Sequence, residues 1–174
     1  MKTVADYIRT IPDFPEPGVM FRDITTILQD AEGLHLAVDG LREALRGVDY
    51  DLVVGPESRG FIFGVPLAYA EYKPFVPIRK QGKLPAETIS ETYELEYGHA
   101  TIEIHKDAIK PGQRVVIVDD LIATGGTTAA MIRLIEKLGG VVVRALFVIE
   151  LKGLNGREKL ENCPVFSLVS YEGK

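Results

Sequence analysis

Leu34, Val38, Leu41 and Leu45 recur at helical spacing in GLHLAVDGLREALRG and lead into the apolar run DLVVG, which predicts an amphipathic helix followed by a buried strand. FIFGVPLAYAEY predicts a second helix, its first turn weakened by Pro66, and FVPIRK a second strand. RVVIVDD has the unbroken apolar character of a strand covered on both faces. A glycine-containing turn and the helical pattern TAAMIRLIEKLGG follow it, and VVVRALFVIE and PVFSLVS predict two more strands. Strands alternating with helices predict an α/β fold, with a mostly parallel central sheet, right-handed crossovers and helices on both faces.

Two stretches interrupt the alternation. Val4, Ile8 and Ile11 lie near helical spacing, but IPDFPEPGV then ends any helix and predicts an irregular segment. Between Gln81 and His99, GKLPAETI carries turn residues. Tyr93, Leu95 and Tyr97 then alternate with Glu94 and Glu96, and Ile102 and Ile104 alternate beyond Gly98, as in a two-stranded hairpin. With no internal repeat and no dividing linker, residues 1–174 are expected to form a single domain.

Composition narrows the class. The chain is 46% hydrophobic, enough for a packed core, and its 20 basic against 25 acidic residues give a net charge of -5, which argues against a nucleic-acid binder. Any anion site must therefore be local. Cys163 is the only cysteine, so no intrachain disulfide is possible, as suits a reducing compartment. Asp6 and Arg9 break the apolar pattern of the N-terminus, and no later apolar run approaches spanning length, so the expectation is a cytoplasmic protein without a membrane partner. His35, His99 and His105 lack metal-binding spacing with one another or with Cys163.

The chemistry concentrates in VVIVDDLIATGGTTAA. Asp119 and Asp120 end a predicted strand, where open α/β sheets bind ligands. Adjacent carboxylates there suit the two donating hydroxyls of a ribose, and they also suit a hydrated Mg2+. Ala123, Thr124, Gly125, Gly126 and Thr127 then form a small-residue loop running into a helix, so that successive backbone N–H groups and the helix dipole converge on a phosphate. No lysine follows the glycines and GxGxxG is absent, which weighs against ATPase and dinucleotide-binding readings. The competing reading is a tight strand-to-helix turn with a threonine cap.

VVIVDDLIATGGTT resembles the signature of type I phosphoribosyltransferases, enzymes that bind phosphoribosyl pyrophosphate (PRPP). IPDFPEPGVMFRDIT, VVGPESRGFIFG, PIRKQGKLP, YELEYGHATIEIHKDAI, REKL and PVFSLVSYE extend the resemblance over almost the whole chain and narrow it to the adenine-using branch. Pro56-Glu57 before Ser58-Arg59-Gly60 is the chief departure, at a place where members vary. The resemblance implies the type I phosphoribosyltransferase fold, with an N-terminal hood over residues 1–32 that recognises the base and a mobile loop and hairpin over 80–106. It implies transfer of the phosphoribosyl group of PRPP to adenine, giving AMP and pyrophosphate, with Mg2+ as cofactor and a homodimer as the assembly.

Site roles follow from the resemblance. Asp119 and Asp120 contact the ribose hydroxyls, and Ala123, Thr124, Gly125, Gly126 and Thr127 hold the 5′-phosphate. Ser58, Arg59 and Gly60 form the pyrophosphate loop; a cation at a helix start is otherwise disfavoured, which supports a bound anion there. Arg79, Lys80 and Lys83 reach PRPP phosphates across a dimer interface, the alternative being a solvated basic loop. Met20 and Arg22 offer backbone contacts to the purine, Phe21 stacks on it and Leu151 packs opposite, although Phe21 also reads as core. Glu96, beside Tyr97 in LEYG, exchanges a proton with the purine; periodicity alone does not choose it over Glu94. The rivals are an enzyme for 6-oxopurines, a PRPP-sensing regulator of transcription and a dimeric scaffold.

Overall fold

The computed structural model describes residues 1–95 and 97–173. A seven-stranded sheet runs through its middle. In chain order the elements are strands β1 (Arg9–Pro12) and β2 (Met20–Asp23), helices α1 (Thr25–Leu28) and α2 (Ala31–Glu43), β3 (Leu52–Pro56), α3 (Arg59–Ala70), β4 (Phe75–Lys80), β5 (Thr88–Glu94), β6 (His99–His105), β7 (Arg114–Ile122), α4 (Gly126–Lys137), β8 (Val141–Leu151) and β9 (Val165–Tyr171). The sheet order is β5-β6-β4-β3-β7-β8-β9. β4, β3, β7, β8 and β9 are mutually parallel, whereas β6 is antiparallel to both β4 and β5.

Alternate side chains of the central strands feed two cores, as the period of 2 requires. Val53, Val116, Val118, Leu146 and Val148 meet Ala37 and Leu41 of α2 and Phe63 and Leu67 of α3 on one face. Leu52, Val54, Val115, Ile117 and Phe147 meet Met131, Leu134 and Ile135 of α4 on the other. This double coverage is why β7 and β8 read as continuous apolar runs. Truncating Leu134, which is fully buried, to alanine removes contacts worth about 2–5 kcal/mol.

The N-terminal helical reading does not extend past Tyr7. A 3-10 turn spans Val4–Tyr7, and Arg9–Pro12 is instead strand β1, paired antiparallel with β2. Arg9 donates to Asp23 across this ribbon at 2.6 Å, a long-range pairing that outweighs three apolar residues at helical spacing. α3 runs through Pro66 without ending. The hairpin starts earlier than the Tyr93-to-Tyr97 alternation implies, with its first strand at Thr88–Glu94, and β6 joins it to the main sheet through Arg79↔Glu103 and Lys80↔Ile102.

Candidate active site

The C-terminal ends of β3, β4 and β7 open into a cavity of about 780 Å3 lined by Ser58, Arg59, Lys80, Tyr93, Asp119, Asp120 and Thr127 among others. Two helices begin at this rim, and neither has a side-chain cap. α3 starts after Ser58 and α4 after Gly125, and among the described residues no hydroxyl or carboxylate accepts from their first N–H groups. By contrast, α2 is capped by Asp30, whose side chain accepts from the N–H groups of Glu32 and Gly33. The threonine-cap reading of the glycine loop is therefore not what the structure adopts. The uncapped N-terminus of α4, with the positive end of its dipole, begins beside Thr127 at the cavity wall, an arrangement suited to an anion.

Gly125 carries a φ of +83°, and a Cβ there would run into the Gly156 carbonyl oxygen. Gly156 in turn sits so close that its own Cβ would lie 2.5 Å from the Ala123 oxygen. The loop is thus packed backbone to backbone against the 3-10 turn Gly156–Leu160. That turn is held by Arg157, which donates from Nε and Nη2 to the two Glu150 oxygens at 2.7 Å each and from Nη1 to the Val165 oxygen at 2.8 Å. The hydrogen bonds from Arg157, followed by that from Ser167, keep the buried Glu150 carboxyl below its ordinary range.

The two acids face different neighbours. Asp120 is buried and pairs with Arg59 Nε at 2.7 Å. Asp119 accepts from the Asp120 N–H at 2.8 Å and faces the start of α3, where a Cβ on Gly60 would lie 3.2 Å from its Oδ1. Burial, then the neighbouring Asp120 charge, pushes the Asp119 carboxyl well above its ordinary range. A ligand that donates hydrogen bonds or carries a cation would favour its ionised form.

Basic residues ring the far wall. Arg79 lies near Glu57, Nε to Oε1 at 3.3 Å, and the same oxygen accepts from the Lys80 N–H at 2.7 Å. Burial alone would raise the Glu57 carboxyl, but these hydrogen bonds prevail and hold it low. Glu103, buried on β6, accepts from Thr88 Oγ1 and from the Gly82 N–H, which fixes the turn bearing Gln81 and Lys83. Lys80 and Lys83 are exposed.

A second cavity, of about 340 Å3, is lined by Met20, Phe21, Arg22, Leu121 and Leu151 and shares Arg59 and Asp120 with the first. The Arg59–Asp120 pair therefore stands at the junction of the two. Phe21 is steadied edge-on by Phe14, ring centroids 5.2 Å apart, and the Arg22 guanidinium stacks 3.8 Å from the Tyr171 ring centroid. Phe21 and Leu151 are both only partly buried, so each presents surface to this space.

Most of the residues singled out from the sequence thus gather around two adjoining cavities: Ser58, Arg59, Arg79, Lys80, Asp119, Asp120 and Thr127 at one, Met20, Phe21, Arg22 and Leu151 at the other. Ala123, Thr124, Gly125 and Gly126 form the turn into α4, and Tyr97 is exposed beside the hairpin tip. Glu96 lies outside the described residues. Glu103 and Gly156 carry no local sequence signal of a role because their partners are distant along the chain, and Glu57 stands out only as a departure from the resemblance. Only the placement of Glu57 directly before Ser58-Arg59-Gly60 gave a local signal.

Comparison with known proteins gives the family. A family model described as phosphoribosyl transferase domain matches residues 26–170. The chain is 64% identical to the adenine phosphoribosyltransferase of Agathobacter rectalis over 174 residues, covering 100% of each. It is 53% identical to the crystal structure of the adenine phosphoribosyltransferase of Thermoanaerobacter pseudethanolicus, with a TM-score of 0.93 and coverage of 97% of this chain and 98% of that one. The Saccharomyces cerevisiae enzyme, complexed with an imino-altritol bisphosphate and adenine, is 45% identical with a TM-score of 0.90, covering 95% and 96%.

Proposed function

The chain belongs to the adenine phosphoribosyltransferases of the phosphoribosyl transferase family, and from that premise we propose how its residues divide the work. The reaction, a purine-salvage step, transfers the 5-phosphoribosyl group of PRPP to adenine and yields AMP and pyrophosphate. A bond forms between an imidazole-ring nitrogen of adenine and the anomeric carbon, while the bond from that carbon to the pyrophosphate oxygen breaks with inversion. The ring proton must leave the purine.

The observation that carries the assignment of roles is the sharing of Arg59 and Asp120 by the two cavities, which suits a base site adjoining a phosphoribosyl site. Phe21 and Leu151 sandwich the adenine, and the β2 backbone at Met20 and Arg22 pairs with its polar edge. The 5′-phosphate rests on the N–H groups from Ala123 to Thr127, where the uncapped α4 N-terminus favours it. Asp119 and Asp120 accept from the ribose hydroxyls. Ser58, Arg59 and Gly60 take the pyrophosphate at the start of α3, and Arg79, Lys80 and Lys83 add charge as it departs. Glu96 receives the purine proton. Fixed dipoles and charges aimed at an oxocarbenium-like transition state supply much of the acceleration.

Asp119 and Asp120 offer two hard oxygen donors, and among the described residues no group of three or more potential ligands surrounds a metal position. That set fits a Mg2+ that keeps waters and substrate oxygens, and would not form an all-protein cage. Bound there, the ion would neutralise pyrophosphate charge.

The assembly we propose is a homodimer. Val65 and Tyr69 lie one turn apart on α3, with Tyr72 just past its end, and Tyr69 and Tyr72 are 87% and 97% exposed, an apolar stripe suited to a second copy. A cytoplasmic location suits the lone thiol of Cys163, and among the described residues no helix is long and apolar enough to cross a membrane.

Replacing Glu96 and Glu94 separately by glutamine tests the proton assignment. Glu96→Gln should lower kcat by roughly a hundredfold or more while PRPP still binds, and Glu94→Gln should leave kcat near that of the unaltered protein. The reverse pattern would assign the proton to Glu94.

A further inference from the structure

Ile89, Glu91 and Tyr93 share one face of β5, because alternate residues of a strand point the same way. Ile89 and Tyr93 pack against the apolar cluster that includes α4. Between them, Glu91 is clamped to α4 by Lys137 Nζ at 2.5 Å and Arg133 Nε at 3.1 Å, which fixes the strand over the helix. The Tyr93 hydroxyl lies 3.0 Å from Thr127 Oγ1, at the start of the same helix. Its ring is close enough that a Cβ on Gly126 would lie 3.7 Å from Cδ2.

We propose that Tyr93 is a positioning residue for the 5′-phosphate of PRPP: its O–H donates to Thr127 Oγ1 and so turns the Thr127 O–H toward the phosphate. The inference rests on the reading of the Ala123–Thr127 loop given above. A hydroxyl has one proton and two acceptor sites, whereas a phosphate oxygen only accepts, so Thr127 is useful to the phosphate only as the donor. A phenol is the stronger acid of the two hydroxyls and takes the donor role toward the threonine oxygen. The chain from Tyr93 to Thr127 to phosphate is then cooperative, each bond polarising the next. Orientation matters here because the loop from Ala123 to Thr127 contains no basic side chain.

The test is a double-mutant cycle of Tyr93→Phe and Thr127→Val, read by steady-state kinetics with PRPP and adenine varied in turn. Phe keeps the ring against Gly126. Tyr93→Phe should raise the PRPP KM by about fivefold, the scale of one weakened hydrogen bond, and leave the adenine KM and the thermal midpoint unchanged. Added to Thr127→Val, it should have no further effect. An unchanged PRPP KM with a lowered thermal midpoint would reduce Tyr93 to packing and overturn the proposal, as would the same rise with and without the Thr127 hydroxyl. If Thr127→Val alone left the PRPP KM unchanged, the Thr127 hydroxyl would not touch the phosphate and the proposal would fall, whereas the backbone reading of the loop would fall only if Gly125→Ala also left the PRPP KM unchanged.

Discussion

Gly125 and Gly112 have nearly the same backbone, φ of +83° and +85°, but very different surroundings. A Cβ on Gly112 meets nothing within 4 Å, whereas one on Gly125 would overlap the Gly156 carbonyl oxygen and lie 3.1 Å from its carbon. Alanine at either position costs about 1 kcal/mol for the left-handed conformation. At Gly125 it must also displace backbone that cannot rotate aside, adding about 2 kcal/mol. For a chain of this size, Gly112→Ala should lower the thermal midpoint by about 3 °C and Gly125→Ala by about 9 °C. The same displacement moves the N–H groups proposed to hold the phosphate, so Gly125→Ala alone should raise the PRPP KM, by roughly tenfold or more. Differential scanning fluorimetry and initial-rate kinetics on both variants check this. Equal midpoint shifts and an unaltered PRPP KM would refute the close packing of the two loops as the source of the site's shape.

Phe21→Ala should raise the adenine KM by about tenfold and leave the PRPP KM unchanged, because Phe21 lines only the smaller cavity; initial rates with each substrate varied would show it. Arg59→Ala should impair both substrates, since it frees Asp120 and alters both cavities. Asp23, Glu91 and Glu150 all have carboxyls held below their ordinary range, chiefly by hydrogen bonds from Thr25, Lys137 and Arg157. Their stabilising contribution is complete above the unfolded carboxylate value of about 4 and is lost as pH falls through the lower folded values. Urea midpoints measured between about pH 6 and pH 3 should therefore fall on the acid side, and Glu150→Gln should flatten that fall while lowering the midpoint at pH 6.

Local patterns were enough to read the central layers. β4 matches FVPIRK residue for residue, and β7 and α4 lie within three residues of the expected ends, because both faces of these strands are apolar and α4 carries a single buried stripe. The acids and the glycine loop were legible for the same reason: they follow one another directly along the chain. Arg9–Pro12 was not legible, since its strand exists only through pairing with Met20–Asp23. Nor was the Gly125–Gly156 contact, which joins two backbones 31 positions apart by shape alone. The Arg59–Asp120 pair belongs here too. Both residues stood out individually, but only the folded sheet shows that they face each other between the cavities.

The most direct test of the account is product formation by the purified protein with PRPP and Mg2+, offering adenine, hypoxanthine, guanine and orotate separately and measuring nucleotide and pyrophosphate together. The account predicts AMP and pyrophosphate in equal amounts with adenine and no comparable product from the other three. Turnover of hypoxanthine or guanine in place of adenine would contradict it, and PRPP binding with no product from any base would point instead to a regulatory ligand site.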